Sequence, residues 1–226
     1  MTKRLLWGAL AALLLYQVWI FAQLVWFRTH NPETTAFMQH RLAELQEENP
    51  NAKLQHKWVP YEAMSTQLKR AVISAEDARF MQHDGFDFAG IEEAFWKDLK
   101  HGKIVAGGSS ISQQLAKNLF LSASHNPLRK LEEAFITIMM EAVLSKRRIF
   151  ELYLNLIEWG NGVFGAEAAA RHYYGVSAAQ LSNYQSARLA AMIPNPRFYD
   201  KVRSTARLSR KTSIIQDRMP SAWIPK

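Results

Sequence analysis

Adjacent carboxylates, Glu76 and Asp77, lie at the head of the stretch A-E-D-A-R-F-M-Q-H-D-G-F-D, residues 75–87. Met64, Leu68, Val72 and Ala75 recur upstream at helical spacing, which predicts a helix with a buried apolar face and Glu76 in its last turn. The C-terminal end of a helix carries partial negative charge, and partial burial also disfavours ionisation, so both raise a carboxylate's pKa there. A carboxylate tuned in this way is a better general base than a solvated Glu, although for an acidic pair taken alone the plainer reading is two solvated charges beside a turn at Gly85. A second carboxylate, Glu133, follows Arg129 by four residues, a spacing that suits an ion pair along one helix face as well as a catalytic role. In G-G-S-S-I-S-Q-Q-L-A-K-N, residues 107–118, Ser110 and Gln113 have capping-box spacing and Lys117 stands one turn beyond Gln113. Backbone N–H groups at such a helix start can bind phosphate, although ordinary capping accounts for Gly-Gly-Ser equally well.

Composition narrows the chemistry. The chain has no Cys, which excludes disulfides, thiolate nucleophiles and Cys-ligated zinc while leaving the compartment open. Its 226 residues suit one domain plus an accessory segment, and 48% hydrophobic content supports a sizeable core. A net charge of +8 favours a polyanionic partner, whether nucleic acid, anionic lipid or a phosphorylated substrate.

Residues 5–27 carry no charge, and as a helix they would be about 34 Å long, enough to cross a hydrocarbon core. A cleaved signal peptide would have a shorter apolar region and a small-x-small cleavage site, which Val25-Trp26-Phe27 does not supply. The expected division is a cytoplasmic N-terminus over 1–4, a transmembrane helix over 5–27, a juxtamembrane segment over 28–57 and a domain over 58–226. Lys3 and Arg4 place the N-terminus in the cytoplasm and the domain outside it. Removing those two from the 28 basic residues leaves 26 against 20 acidic, so the outer part is itself basic.

The elements that must carry the chemical residues read as helices. A juxtamembrane helix is expected within 34–48, ending at Asn49-Pro50-Asn51. Asp87 is a candidate N-cap for a helix through Ile91, Ala94, Phe95 and Leu99, with Gly102 beyond it. Asn126-Pro127 opens a long helix expected to bury Leu128, Leu131, Phe135, Ile138 and Ala142, leaving Glu133 at the edge of a cleft. Ser145 can cap the next, whose apolar stripe is Ile149, Leu152, Tyr153 and Leu156. Gly160-Asn161-Gly162-Val163-Phe164-Gly165 matches the dinucleotide fingerprint, but a helical pattern precedes it and no acidic residue follows about 20 positions later. A turn between two helices is expected there instead, the second helix running to Gly175. One helix through Tyr184, Ala187 and Ala191 then ends near Pro194-Asn195-Pro196, and the basic stretch 201–218 forms another. No set of alternating strands is expected, and the fold class is mostly α.

Taken in order, E-D-A-R-F-M-Q-H-D-G-F-D, G-G-S-S-I-S-Q-Q-L-A-K-N, R-K-L-E-E-A, S-K-R-R-I-F-E-L-Y-L-N and G-A-E-A-A-A-R-H-Y-Y-G resemble the motif series of the peptidoglycan glycosyltransferases, glycosyltransferase family 51. The resemblance covers about residues 58–199. It implies a lysozyme-like helical glycosyltransferase domain, with a smaller lobe near the membrane and one N-terminal transmembrane helix. The activity it implies is polymerisation of lipid II, with inversion at the donor carbon, on the outer face of the cytoplasmic (inner) membrane. There is no room here for the transpeptidase domain of bifunctional members, and no Ser-x-x-Lys occurs.

On this resemblance Glu76 matches the catalytic base and Glu133 the second acidic residue, whose role stays open between ordering cations, binding a divalent ion and assisting departure of the leaving group. Lys117, Arg129 and Lys130 would bind the lipid diphosphate, with Ser109, Gln113, Gln114 and Asn118 completing the substrate-binding set. No cofactor is obligatory, and a divalent cation, Mg or Mn, at the diphosphate is an open expectation. Partners would be lipid II, the growing lipid-linked glycan, the membrane and other cell-wall synthesis and division proteins, without nucleic acid. A membrane-bound lytic transglycosylase would not need the three cations, because its substrate has no diphosphate. A non-catalytic assembly factor would leave the five motifs unexplained.

Overall fold

The computed structural model describes residues 2–90, 92, 96, 109–121 and 127–226. In chain order these form α1 (Thr2–Trp26), α2 (Ala36–Glu48), β1 (Gln55–His56), α3 (Thr66–Glu76), α4 (Ile111–Phe120), α5 (Pro127–Val143) and α6 (Lys146–Leu156). After these come β2 (Glu158–Gly160), β3 (Val163–Phe164), α7 (Ala166–Tyr174), α8 (Asn183–Met192), α9 (Pro196–Lys201) and α10 (Ala206–Arg218). The fold is mostly helical, as expected. The helix anticipated through Ile91 and Leu99, together with Gly102, Gly107, Gly108 and Asn126, lies largely or wholly outside the described residues. Its cap is visible: Gly90 N–H donates to Asp87 Oδ1 at 2.8 Å.

Helix boundaries follow local chemistry. Ser65, Ser110, Ser145 and Ser182 each accept a hydrogen bond from a backbone N–H of the first turn they precede, and Ser110 and Ser182 complete capping boxes with Gln113 and Gln185. Gly175 ends α7 in the left-handed region at φ 68°. The short α9, not anticipated from the sequence, starts on Pro196, whose fixed φ suits the first helical position.

Two expectations change. The stretch 158–164 is not a plain turn: β2 and β3 form an antiparallel hairpin, and β1 pairs parallel with β3 in sheet order β1-β3-β2. Two of the glycines that mimic a dinucleotide motif serve this geometry. Gly162 and Gly165 adopt φ 74° and 82°, and a Cβ on Gly165 would lie 2.6 Å from the Asn155 carbonyl oxygen. Gly165→Ala is therefore expected to lower stability by about 1–3 kcal/mol, measured by thermal melting.

The second change concerns α5. Leu128, Leu131, Phe135 and Ile138 are 71%, 59%, 56% and 56% exposed, Ala142 is also exposed, and the buried positions are Glu133, Ile136, Thr137 and Met140. Periodicity reveals an apolar face without revealing what covers it. The helix itself contacts α1, the one helix among the described residues long and apolar enough to cross a membrane, while this face stays open. The second half of α1 is no free tether: Ile20, Leu24 and Phe27 join the core, and Trp19 and Phe27 bring their rings to within 6.4 and 6.3 Å of Phe120. Segment 28–57 shares the same core. Nearly buried Arg41 of α2 pairs with Glu158 of β2 at 3.1 Å and donates to Asn161 at 2.9 Å.

Candidate active site

Burial of Leu68, Ala71, Val72 and Ile73 fixes the rotation of α3 and delivers Glu76 at its last residue. Asp77 leaves the helix in an extended conformation and ties the end of α3 to the start of α4, its Oδ2 accepting from Ile111 N–H at 3.1 Å. The other carboxylate oxygen meets His83 Nε2 at 2.9 Å. The junction sets Gln114, on the first turn of α4, opposite Glu76.

Gln114 is the hub. Its Nε2 donates to Glu76 Oε2 at 3.0 Å and to the Ser109 carbonyl at 3.3 Å, while its Oε1 accepts from Tyr153 Oη at 2.9 Å. Complete burial pushes the Tyr153 phenol well above its usual pKa, and nearby Glu76 and Asp77 push it further, so it remains a donor. That in turn fixes the amide orientation: the Gln114 carbonyl must face Tyr153 and its NH2 must face Glu76. Burial also raises the Glu76 pKa, with Asp77 adding to the rise, while the Gln114 hydrogen bond and the Lys211 charge oppose it. A carboxylate held in this state is both oriented and more basic than a solvated one.

The cations gather on the other side of Ser109. Lys130 Nζ reaches Ser109 Oγ at 3.5 Å and contacts Glu133 Oε1, while Arg129 Nη1 stands 3.6 Å from Glu133 Oε2. Glu133 is 3% exposed, so it lies under this cluster and not at a cleft edge. Lys117 has its pKa lowered first by burial and then by the charges of Arg129 and Lys130, against the pull of Glu133. Two cations thus pair with one carboxylate, and a third, Lys117, lies close enough to feel all three charges. Arg129 Nε and Nη1 are buried without a hydrogen-bond partner among the described residues, which leaves donors prepared for an anionic acceptor.

Of the predicted set, Glu76, Ser109, Gln114, Lys117, Arg129, Lys130 and Glu133 come together. Gln113 does not join them: it is 6% exposed and its Oε1 accepts from Ser110 N–H, so its side chain caps α4. Asn118 is buried and makes no hydrogen bond to the other candidates among the described residues. Lys211 of α10 and Tyr153 of α6 were not anticipated as site residues. Lys211 stands between buried Leu208 and Ile215 at helical spacing, and a lysine on an apolar stripe is the signal that could have identified it. Its pKa is lowered by burial and held up by Glu76. Among the described residues no group of three or more His, Asp or Glu side chains could hold a metal ion, and Glu133 is already engaged by cations. The donor set described does not form a protein-held metal site.

A family model described as Transglycosylase matches residues 40–220. The chain is 59% identical to the biosynthetic peptidoglycan transglycosylase of Chromobacterium violaceum, over 98% of this chain and 97% of that one. It is 60% identical to the protein of the same name from Methylobacillus flagellatus over the full length of both. A relative with that name from Laribacter hongkongensis is 61% identical over 96% of this chain and 95% of its own.

Proposed function

Because the chain belongs to the transglycosylase family, we propose that it acts in cell-wall synthesis as a peptidoglycan glycosyltransferase, polymerising lipid II into β-1,4-linked glycan and releasing undecaprenyl diphosphate. The observation that carries this reading is the continuous contact line Glu76–Gln114–Ser109–Lys130–Glu133, which joins an oriented base to a cationic cluster. In the reaction the acceptor GlcNAc 4-hydroxyl gives its proton to Glu76 as its oxygen attacks the donor anomeric carbon. The bond from that carbon to the diphosphate oxygen breaks, and the electron pair leaves with the lipid diphosphate. Attack opposite the leaving group converts the α-linked donor into a β-linked product without a covalent glycosyl-enzyme.

Lys117, Arg129 and Lys130 balance the charge that develops on the diphosphate, with the buried N–H groups of Arg129 as directed donors. Glu133 is a positioning residue that gathers these cations beneath the leaving group. The apolar α1 serves as a single-pass anchor, with its N-terminus in the cytoplasm and the domain outside, next to substrates whose lipid tails stay in the bilayer.

The test is purified full-length protein with labelled lipid II in vesicles. New glycan strands support the reading, whereas cleavage of sacculi without synthesis would assign lytic chemistry. The pH profile adds a check. Glu76 works ionised and its pKa is raised, so activity should fall with acid from a pH above the ordinary 4.5. Lys117 works protonated and its pKa is lowered, so the alkaline decline should begin below the ordinary 10.5. An acid limb at or below pH 4.5 would contradict Glu76 as the base.

A further inference from the structure

A cavity of about 570 Å³ opens beside the last two turns of α1 and shares no lining residue with the site around Glu76. Trp19, Ala22, Gln23 and Trp26 form one wall at i, i+3, i+4 and i+7, and the loop with Asn31, Glu33 and Thr34 folds back as the other. Small Ala22 leaves the hollow between the two indoles. Both indoles are held from behind: Trp26 stacks on His30 with centroids 3.4 Å apart, and Trp19 meets Phe120 edge-on at 6.4 Å. Arg148 Nη2 donates to Asn31 Oδ1 at 2.8 Å, which leaves the Asn31 NH2 as the group able to donate to a guest.

The sign of the cavity is unusual for this chain. Glu33 is the only charged residue in its lining, in a protein of net charge +8, while the Arg148 guanidinium stands behind the wall on Phe27 O and Asn31 Oδ1. A carboxylate and two tryptophans lining one cavity disfavour a diphosphate and suit an ammonium, by charge and by cation–π attraction. Carboxylate and Thr34 hydroxyl oxygens accept N–H hydrogen bonds, which favours a primary over a quaternary ammonium. The cavity also grades from polar, at the loop, to apolar along about 10 Å of α1 from Trp26 to Trp19. That gradient matches an amphiphile entering a membrane.

We propose that this cavity is a phospholipid site that binds a primary-ammonium headgroup. The ammonium meets Glu33 and the tryptophans, the phosphate oxygens accept from the Asn31 and Gln23 amides, and the acyl chains descend past Trp19. The proposal rests on the reading of α1 as a membrane span.

The experiment uses the full-length protein in mixed micelles of equal phosphatidylethanolamine, phosphatidylglycerol and phosphatidylcholine, with retained lipid counted by native mass spectrometry. Wild type should hold one phosphatidylethanolamine in preference to the others. Glu33→Gln should lower that preference at least ~10-fold, the loss expected for a charge-assisted hydrogen bond, and Glu33→Lys should turn it toward phosphatidylglycerol. Equal retention of all three lipids, as for an annular lipid only, would overturn the proposal. So would phosphatidylcholine held as firmly as phosphatidylethanolamine, or an undiminished preference in Glu33→Gln. Vesicle flotation separates the two levels: a protein that does not float loses the anchor and the site together, whereas one that floats without lipid preference loses only the site.

Discussion

Glu76→Gln is expected to lower glycan polymerisation at least ~10²-fold while leaving the melting temperature unchanged or raised. Glutamine keeps the volume of the side chain and an oxygen that can accept from Gln114 Nε2, the contact now made at 3.0 Å. It cannot take a proton from the acceptor hydroxyl. The stability sign follows from the raised pKa: folding makes the ionised form of Glu76 less favourable, mainly through burial, so a neutral substitute removes a cost to the folded state. Polymerisation rate and melting temperature should be measured on the same preparation. Turnover within a few-fold of wild type by a folded Glu76→Gln protein would remove Glu76 from the chemistry.

Lys117→Ala should weaken binding of diphosphate-bearing donors by roughly 10- to 100-fold, the equivalent of about 1.5–3 kcal/mol for a hydrogen bond to a charged group. Little stability should be lost. Lys117 is partly buried next to Arg129 and Lys130, and its lowered pKa marks a cation that folding does not favour. An exposed helical ion pair, by comparison, contributes only about 0.3–0.5 kcal/mol. The comparison is between affinity for a phosphoglycolipid donor mimic and melting temperature, in wild type and variant. A large drop in melting temperature with unchanged affinity would make Lys117 structural.

Where local rules act alone, the sequence can be read directly. The end of α3 at Glu76, the Ser110 capping box and the Ser145 cap are determined by residues within one or two turns of each other. What long-range packing decides is harder to see. Gln113 and Gln114 are neighbours with the same chemistry, yet one caps its own helix while the other reaches Glu76 from 38 residues away. Only the rotation of α4 against α3 separates their roles. The hairpin at 158–164 did carry a cue, Asn161-Gly162 between apolar runs, which the glycine motif around it obscured. The apolar stripe of α5 is legible as a stripe, but periodicity does not distinguish burial in protein from an exposed apolar face. Likewise the uncharged span reads as a separable anchor, whereas Ile20, Leu24 and Phe27 belong to the folded core.

The Gln114 bridge has a consequence for how the enzyme resets between cycles. Glu76 Oε2 already accepts from Gln114, so in the proposed reaction Oε1 is the oxygen left to capture the incoming proton. An amide nitrogen has no lone pair to accept that proton, and Tyr153 beyond it holds its own throughout the ordinary pH range. On the Gln114 side the site is therefore a dead end for proton conduction. In the proposed reaction the proton taken up at each step leaves elsewhere, by way of Lys211, whose charge acts on Glu76, or through the mouth by which the substrate enters. Wherever the mouth is used, recharging the base and admitting the next acceptor compete for one doorway.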